Sequence, residues 1–211
     1  MGVGAASSTA VLVCQGRATA DGRYAVGLFS DPVAEELLDP AERTVVERVR
    51  AGDVPAQAAE RMAYEMVRRS GITMVPRTVA IDEAIREHGA AQLVILGAGL
   101  DARAWRMSEL ADVTVFEVDH PASQGDKLRR IGDRTPTALR VLPVEVDLAT
   151  QTLSPTLENA GLIGRWCRRG CGRGSCPISS PTTCGLQTPR SRSCVRQAAG
   201  SSSTTKRSRH G

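Results

Sequence analysis

A glycine-rich segment in the middle of the chain has the residue types of a ligand-binding turn. Gly97 and Gly99 directly follow the apolar run 92–96 and precede residues 100–110, which can form a helix. Glycines at a strand-to-helix turn let the backbone bend tightly and approach a ligand closely, and the helix start offers free N–H donors. The segment also satisfies the G-x-G-x-x-A pattern, so both a dinucleotide site and a purely structural turn remain open.

Asp119 ends the next apolar run, 113–119, about 20 residues beyond the glycines. A carboxylate at that place can accept both ribose hydroxyls of an adenosine ligand, and the spacing suits NAD and S-adenosylmethionine equally well. Asp-x-Pro also permits a second role, in which Asp119 caps a helix that begins at Pro121. The two roles are compatible with each other.

Asp147 ends a third apolar run, 140–147, and is followed by Leu148. An acidic residue at the end of that strand would lie beside the same crevice, where it can accept the amino group of an adenine. This position favours a methyl-donor cofactor over a nicotinamide. The competing interpretation is a helix cap, for a helix that begins near Thr152.

The elements that must position these residues alternate between strands and helices. Helices are predicted at 78–88 and 121–131, between and beside the three apolar runs. Such alternation predicts a parallel α/β sheet with right-handed crossovers, and Pro143 disfavours a central place for the third strand. Ahead of the sheet, Asp31-Pro32, Asp39-Pro40 and Val54-Pro55 each open a predicted helix. We therefore divide the chain into an N-terminal helical region, residues 1–75, and a cofactor-binding half domain, residues 76–164.

The last part of the chain, residues 165–211, has a different composition. Ten of the 27 Lys and Arg residues lie there with no Asp or Glu, so the first 164 residues hold 17 basic and 23 acidic residues although the whole chain is at +4. Apolar residues are too isolated there to form a face, which predicts disorder. The Cys-x3-Cys-x4-Cys run from Cys167 lacks paired C-x2-C knuckles, so we predict no metal site.

The chain contains neither the apolar core of a signal peptide nor a run of membrane-spanning length. We therefore expect a cytoplasmic protein with no membrane partner.

The glycine turn and the Asp119 segment, with their flanking residues, resemble a known family, the leucine carboxyl methyltransferase-like proteins. The resemblance is greatest to the actinobacterial S-adenosylmethionine-dependent methyltransferases within that family. The resemblance is carried by residues 76–82, 94–106 and 116–121 together with Lys127, and above all by Gly-Ala-Gly-Leu-Asp-x-Arg-Ala followed by Glu-Val-Asp-x-Pro. It implies a class I methyltransferase, with a Rossmann-like parallel sheet and an N-terminal helical layer. It covers residues 17–164, more loosely before Arg77.

The resemblance also implies roles for individual residues. Arg77 would pair with the methionine carboxylate, the two glycines would line the cofactor, Asp119 would hold the ribose, and Asp147 and Leu148 would border the adenine. The implied activity is O-methylation of a small-molecule acceptor with S-adenosyl-L-methionine as cofactor. No catalytic residue is assigned, because a carboxylate acceptor needs no general base. Arg103 and Arg106 follow the glycine turn and can orient an acidic substrate, although a solvated surface or a structural ion pair is the favoured interpretation.

The family also has a fourth strand and a Trp-Glu-Gly-Val-x-x-Tyr-Leu motif, which this chain lacks. The genetic code permits residues 171–180 to be read in another frame as Trp-Glu-Gly-Val-Val-Pro-Tyr-Leu, and residues 200–205 as Leu-Val-Val-Asp-Tyr. We therefore interpret the tail as the product of a frameshift near residues 161–168. A sheet that is incomplete after its third strand predicts a poorly soluble or inactive chain.

Two other functions remain open from the sequence. A nicotinamide-dependent oxidoreductase would use the glycine turn and Asp119 but leaves Arg77 and Asp147 unexplained. A non-enzymatic protein whose basic tail binds nucleic acid is disfavoured, because the tail has no aromatic residue beyond Trp166 to stack on bases. We therefore expect no nucleic-acid partner.

Overall fold

The computed structural model describes residues 7–163, which form a three-stranded parallel sheet and a layer of helices. The strands are β1 (Gln92–Leu96), β2 (Thr114–Asp119) and β3 (Arg140–Glu145), in the order β1-β2-β3. This confirms the predicted parallel α/β fold with an N-terminal helical layer. The helices are α1 (Ser8–Ala20), α2 (Pro32–Glu36), α3 (Pro40–Ala51), α4 (Ala58–His88), α5 (Arg103–Arg106), α6 (Pro121–Ile131) and α7 (Leu153–Asn159), with a 3-10 turn at Ser108–Leu110.

The central strand of the described sheet is β2, whose middle residues are fully buried. Phe116 pairs with Val94 of β1 on one side and with Leu142 of β3 on the other. Pro143 lies in β3, which pairs only with β2 within residues 7–163, so the prediction that this strand is not central is confirmed. The parallel register brings the carboxyl ends of all three strands to one edge of the sheet.

The N-terminal helices pack on one another through small residues as well as apolar ones. A Cβ atom built on Gly16 of α1 would lie 2.4 Å from the Ser70 hydroxyl oxygen of α4, so position 16 has no room for a side chain. The same hydroxyl donates to the Leu12 carbonyl at 3.0 Å. Cys14, Val46 and Val67 lie in the apolar core that this packing encloses.

Local capping explains where α2 and α3 begin. Asp31 caps α2, because its carboxylate accepts the Ala34 N–H at 3.1 Å, and a proline occupies the first turn. At α3 the Glu42 carboxylate accepts the Asp39 N–H at 2.8 Å. Both starts agree with the sequence prediction, and α6 has the predicted bounds.

The helices of the structure differ from the predicted ones in three places. The third predicted helix and the one at 78–88 form a single helix, α4, which begins at Ala58 and passes through Pro76. Proline removes one backbone donor, but packing of Gly71 against α1 favours continuation, and the Thr78 hydroxyl donates to the Met74 carbonyl at 2.8 Å. The predicted boundary between residues 75 and 76 therefore falls inside a helix.

The second difference is α1, which was not predicted as a helix. Its helical residues include several β-branched and small ones, and its stability comes from packing against α3 and α4 rather than from a polar–apolar periodicity. The third difference is the predicted helix 100–110, which is reduced to α5 and the 3-10 turn. Asp101 explains the late start, because its carboxylate accepts the Arg103 N–H at 2.9 Å and holds a turn there.

Residues 165–211 lie outside the described part of the chain, and so do the predicted disorder, the cysteine run and the frameshift interpretation. Within residues 7–163, none of the helices is long and apolar enough to cross a membrane.

Candidate functional site

The glycine turn lies at the carboxyl edge of the sheet, directly after β1. Gly97 and Gly99 have φ angles of +64° and +46°, in the left-handed region that favours glycine. Between them, the Ala98 N–H donates to the Val118 carbonyl at 3.0 Å and so ties the turn to β2. A Cβ on Gly97 would meet no atom within 4 Å, so the open side of the turn is free for a ligand.

Asp119 ends β2 and contacts this turn directly. Its Oδ2 accepts the Gly99 N–H at 2.5 Å, and its Oδ1 accepts the His120 N–H at 2.7 Å. The helix cap proposed as an alternative is provided by His120 instead, since its Nδ1 accepts the Ala122 N–H at 3.2 Å. Each carboxylate oxygen of Asp119 therefore keeps a lone pair that can accept a further hydroxyl.

A cavity of about 1340 Å³ opens beside the turn and Asp119. Four of the six residues predicted to bind a cofactor line it, namely Arg77, Gly97, Gly99 and Asp119. The sequence separates Arg77 from the others by 20 residues or more, and the second half of α4 brings it to the same opening. The volume exceeds the range of roughly 300–1,000 Å³ typical of small-molecule sites.

Arg77 differs from the other arginines around the cavity because it is exposed and has no hydrogen-bond or ion-pair partner within residues 7–163. A guanidinium offers five donors in a planar fork, which matches a carboxylate or a phosphate. An unpaired arginine at the wall of a cavity is therefore suited to an anionic group of a ligand.

Asp147 and Leu148 do not line the cavity. They are nevertheless close in the fold, because the Val146 N–H donates to the Asp119 carbonyl at 2.9 Å and places Asp147 at the neighbouring strand end. The Asp147 carboxylate accepts the Ala149 N–H at 2.9 Å, and Leu148 is 60% exposed. Asp147 thus holds a local turn, while the N-cap of α7 is Thr152.

One wall of the cavity is formed by α1, which sequence reasoning missed. Thr9, Ala10, Val13 and Arg17 line the cavity along this helix. The approach is close, since a Cβ on Gly99 would lie 2.9 Å from the Ala10 Cβ. The available signal was the apolar run 10–13, but its partner in the glycine turn is almost 90 residues away in the sequence.

Arg103 and Arg106 belong to a buried set of ion pairs, which confirms the interpretation as structural ion pairs. Arg103 Nε donates to Asp82 Oδ1 at 2.7 Å, and Arg106 Nη2 donates to Asp82 Oδ2 at 2.6 Å. Arg103 Nη1 also pairs with the Asp101 carboxylate. Neither guanidinium is free to orient a substrate, and Asp82 was not identified from the sequence.

The charges behind the turn set the ionisation of their neighbours. Burial alone would raise the pKa of Asp101, but the nearby Arg103 and Arg17 outweigh it and hold that pKa well below its usual range. Asp101 is therefore a stable carboxylate at neutral pH.

Lys127 lies in the core beneath β2. Its Nζ contacts Glu117 Oε2 at 2.6 Å and lies 4.9 Å from the centre of the Trp105 ring, and both charged side chains are buried. Burial raises the pKa of Glu117, while Lys127 opposes that shift. Lys127, which the sequence motif includes, thus supports the strand that carries Asp119.

The part of the cavity that runs alongside β1 is apolar. Leu93 and Ile95 of β1 line it together with Ile81 and Ile85 of α4. Within residues 7–163, β1 pairs with β2 only. This apolar stretch separates the glycine turn and Asp119, at the carboxyl edge of the sheet, from a second polar part of the cavity near the start of β1. The residues of that second part are Arg86, Glu87, His88, Gln92 and Glu109.

Comparison with known proteins gives a consistent result. The sequence profile of the family described as leucine carboxyl methyltransferase matches residues 10–164. A protein of Mycobacterium sp. (strain MCS), named "Putative S-adenosyl-L-methionine-dependent methyltransferase", is 36% identical over 143 residues, which are 64% of this chain and 53% of the relative. A protein of the same name from Mycobacterium bovis (strain BCG / Pasteur 1173P2) is 36% identical over 152 residues, which are 69% of this chain and 48% of the relative.

The chain spans about half the length of the curated relatives it matches. The matched residues include the glycine turn, Asp119 and Arg77, and they extend over nearly all of the described fold. Since the family profile covers more than half of the chain, the chain belongs to the leucine carboxyl methyltransferase family.

Proposed function

We propose that this protein is an S-adenosyl-L-methionine-dependent methyltransferase that methylates an oxygen atom of a small-molecule acceptor. The observation that carries the proposal is the meeting of three features at one cavity: the open glycine turn, the Asp119 carboxylate and the unpaired Arg77. The names of the mycobacterial relatives support the same activity.

The residues around the cavity fit this cofactor part by part. Gly97 leaves room for a close approach to the backbone, and Asp119 has acceptor sites left for two ribose hydroxyls. Arg77 offers a free guanidinium to the carboxylate of the methionine moiety. Asp147 and Leu148 lie at the neighbouring strand end and are proposed to border the adenine.

When bound, the cofactor supplies a methyl group that is already activated by the sulfonium. The protein then has to align the acceptor oxygen with that methyl group and to exclude water, which is a matter of positioning. Arg77 would hold the carboxylate end of the ligand and Asp119 its ribose, and α1 closes one side of the cavity. A carboxylate acceptor needs no proton to be removed, and we assign no general base.

The test is calorimetric titration of the 211-residue chain with S-adenosylmethionine, S-adenosylhomocysteine, NAD and NADP. Binding of the two sulfur compounds without binding of the dinucleotides is the expected result. Preferential binding of NAD or NADP would instead support the oxidoreductase, which shares the glycine turn and the ribose carboxylate.

Two carboxylate-to-amide variants at paired positions of β2 and β3 test whether binding depends on Asp119 itself. Asp119→Asn should abolish most of the binding. Glu145→Gln alters the exposed residue paired with Asp119 in the adjacent strand and should leave binding unchanged. Equal losses in the two variants would indicate a general disturbance of the strand ends and would contradict the assigned site.

A further inference from the structure

Arg17 links the N-terminal helix to the glycine turn. It is 4% exposed and lies in the last turn of α1. Its Nη2 donates to the Leu100 carbonyl at 2.6 Å, across 83 residues of sequence. Leu100 follows Gly99 directly and is 2% exposed, so the carbonyl that Arg17 satisfies belongs to a buried residue. The contact therefore fixes the backbone one residue beyond the second glycine.

Arg17 is held in place by a chain of buried charges, which we call the charge ladder. Its Nε lies 3.2 Å from Asp31 Oδ2, and Asp31 lies 3.4 Å from Arg106 Nε. Arg106, Asp82, Arg103 and Asp101 continue the series with alternating sign. The ladder contains three arginines and three aspartates, so its formal charge is zero.

The ladder meets the candidate site at both of its ends. At one end Arg17 binds the Leu100 carbonyl, and at the other Asp101 is the next residue in the chain. The backbone between Gly99 and Asp101 is thus held from two directions. The preceding N–H, that of Gly99, donates to Asp119.

We propose that Arg17 is a positioning residue for the cofactor site, acting through the Leu100 carbonyl on the Gly99 N–H and the Asp119 carboxylate. The expected effect of Arg17 on cofactor binding rests on the proposed function. The hydrogen bonds from Arg17 to Leu100 and from Gly99 to Asp119 do not depend on a ligand. Removing the guanidinium leaves the buried Leu100 carbonyl unsatisfied, which favours rotation of the Leu100–Asp101 peptide. That rotation weakens the hydrogen bond that the Asp101 N–H donates at 2.7 Å to the Ala98 carbonyl, which belongs to the same peptide as the Gly99 N–H. The Gly99–Asp119 hydrogen bond would then lengthen, and the carboxylate would lose its orientation.

Arg106 provides a matched control. Its side chain is 5% exposed, as is that of Arg17, and it also pairs with Asp31, but its hydrogen bonds go to Asp82 and to the Ser30 carbonyl rather than to the glycine turn. Arg17→Met and Arg106→Met each remove one buried arginine from Asp31. Only Arg17→Met removes the bond to Leu100.

The experiment measures two quantities on the 211-residue chain. The first is the amide proton shift of Gly99 in a 15N-glycine-labelled sample without ligand, which reports the hydrogen bond to Asp119. The second is the Kd for S-adenosylmethionine. Arg17→Met should move the Gly99 shift upfield and raise the Kd roughly tenfold, as expected for one well-formed contact. Arg106→Met should lower the melting temperature while leaving the Gly99 shift in place and changing the Kd less than about twofold.

Arg17→Lys covers the case in which Arg17→Met does not fold. It keeps the charge beside Asp31, but a single ammonium group cannot pair with Asp31 and also donate to the Leu100 carbonyl as the two sides of the guanidinium do, so the Gly99 shift should still move. If the wild type does not bind S-adenosylmethionine, the proposed function fails, and the ligand-free shift alone decides the role of Arg17. An unchanged Gly99 shift in Arg17→Lys, or an equal change in Arg106→Met, would overturn the inference.

Discussion

The rim of the cavity and the wall behind it use the same residue types in opposite ways. In the wall, each arginine of the charge ladder lies within 4 Å of an aspartate, and the side chains are almost fully buried. At the rim, Arg77 is exposed and without a partner in residues 7–163, and Asp119 contacts only backbone N–H groups. Arginines and aspartates that maintain the fold are therefore distinguished from those available to a ligand by whether they have an ion-pair partner in the protein, and not by residue type.

Removal of a carboxylate from the charge ladder should cause the greatest loss of stability. Asp82→Ala leaves Arg103 and Arg106 without their shared carboxylate, and an uncompensated buried charge costs about 3–5 kcal/mol of unfolding free energy. Glu83→Ala, at the exposed neighbouring position, should cost less than about 0.5 kcal/mol. Urea unfolding followed by circular dichroism measures both. Similar midpoints for the two variants would contradict the structural role of the ladder.

At the rim the opposite result is expected, namely a large loss of binding with only a small loss of stability, because Asn can still accept one of the two backbone N–H groups that Asp119 accepts. Asp119→Asn keeps the shape of the side chain but removes the charge and one acceptor, so the Kd for S-adenosylmethionine should rise about 100-fold, which corresponds to roughly 2.7 kcal/mol. Calorimetric titration gives the Kd, and a thermal melt gives the stability. A melt lowered by 10 °C or more, by contrast, would assign Asp119 to the fold.

Arg77 should show a smaller and more selective effect. Arg77→Ala should raise the Kd for S-adenosylmethionine about tenfold, because one charged hydrogen-bonding partner is lost. Binding of methylthioadenosine, which has no carboxylate, should not change. Arg69→Ala on the same helix alters an exposed arginine outside the cavity and serves as the control. Equal losses for both ligands would show that Arg77 does not recognise the carboxylate.

A still weaker effect is expected on the pH dependence of the free energy of unfolding, through Asp101 of the charge ladder. The pKa of Asp101 is lowered in the folded protein, so its carboxylate stabilises the fold above its ordinary pKa of about 3.9 and loses that contribution as the pH falls below it. Between pH 5 and pH 3 the wild type should lose about 1 kcal/mol more than Asp101→Asn. Urea unfolding at the two pH values measures this difference. Parallel pH dependences would mean that Asp101 is not stabilised by Arg103 and Arg17.

The local parts of the fold could be predicted from the sequence. All three strands and α6 follow from short apolar runs and a proline start, and the glycine turn and Asp119 follow from spacing within about 30 residues. The length of α4 could not be predicted, because Gly71 and Pro76 both favour a break when read locally. Packing against Gly16, a residue more than 50 positions away, outweighs that preference.

The ladder was equally beyond prediction. Arg17 has its partners at Asp31 and Leu100, and Asp82 has its partners at Arg103 and Arg106, so only the folded chain brings them together. Of the site, the sequence indicated the groups that face the ligand. It did not indicate the arginines and aspartates of the charge ladder behind them, because these residues are far apart in the sequence and form no recognisable motif.

The continuity of α4 has a mechanical consequence. A helix of 31 residues is about 46 Å long and behaves as a stiff rod. Ser70, Arg77 and Asp82 are fixed to it at the α1 contact, at the cavity and in the ladder respectively. A displacement at any one of these points is therefore expected to be passed along the helix to the other two.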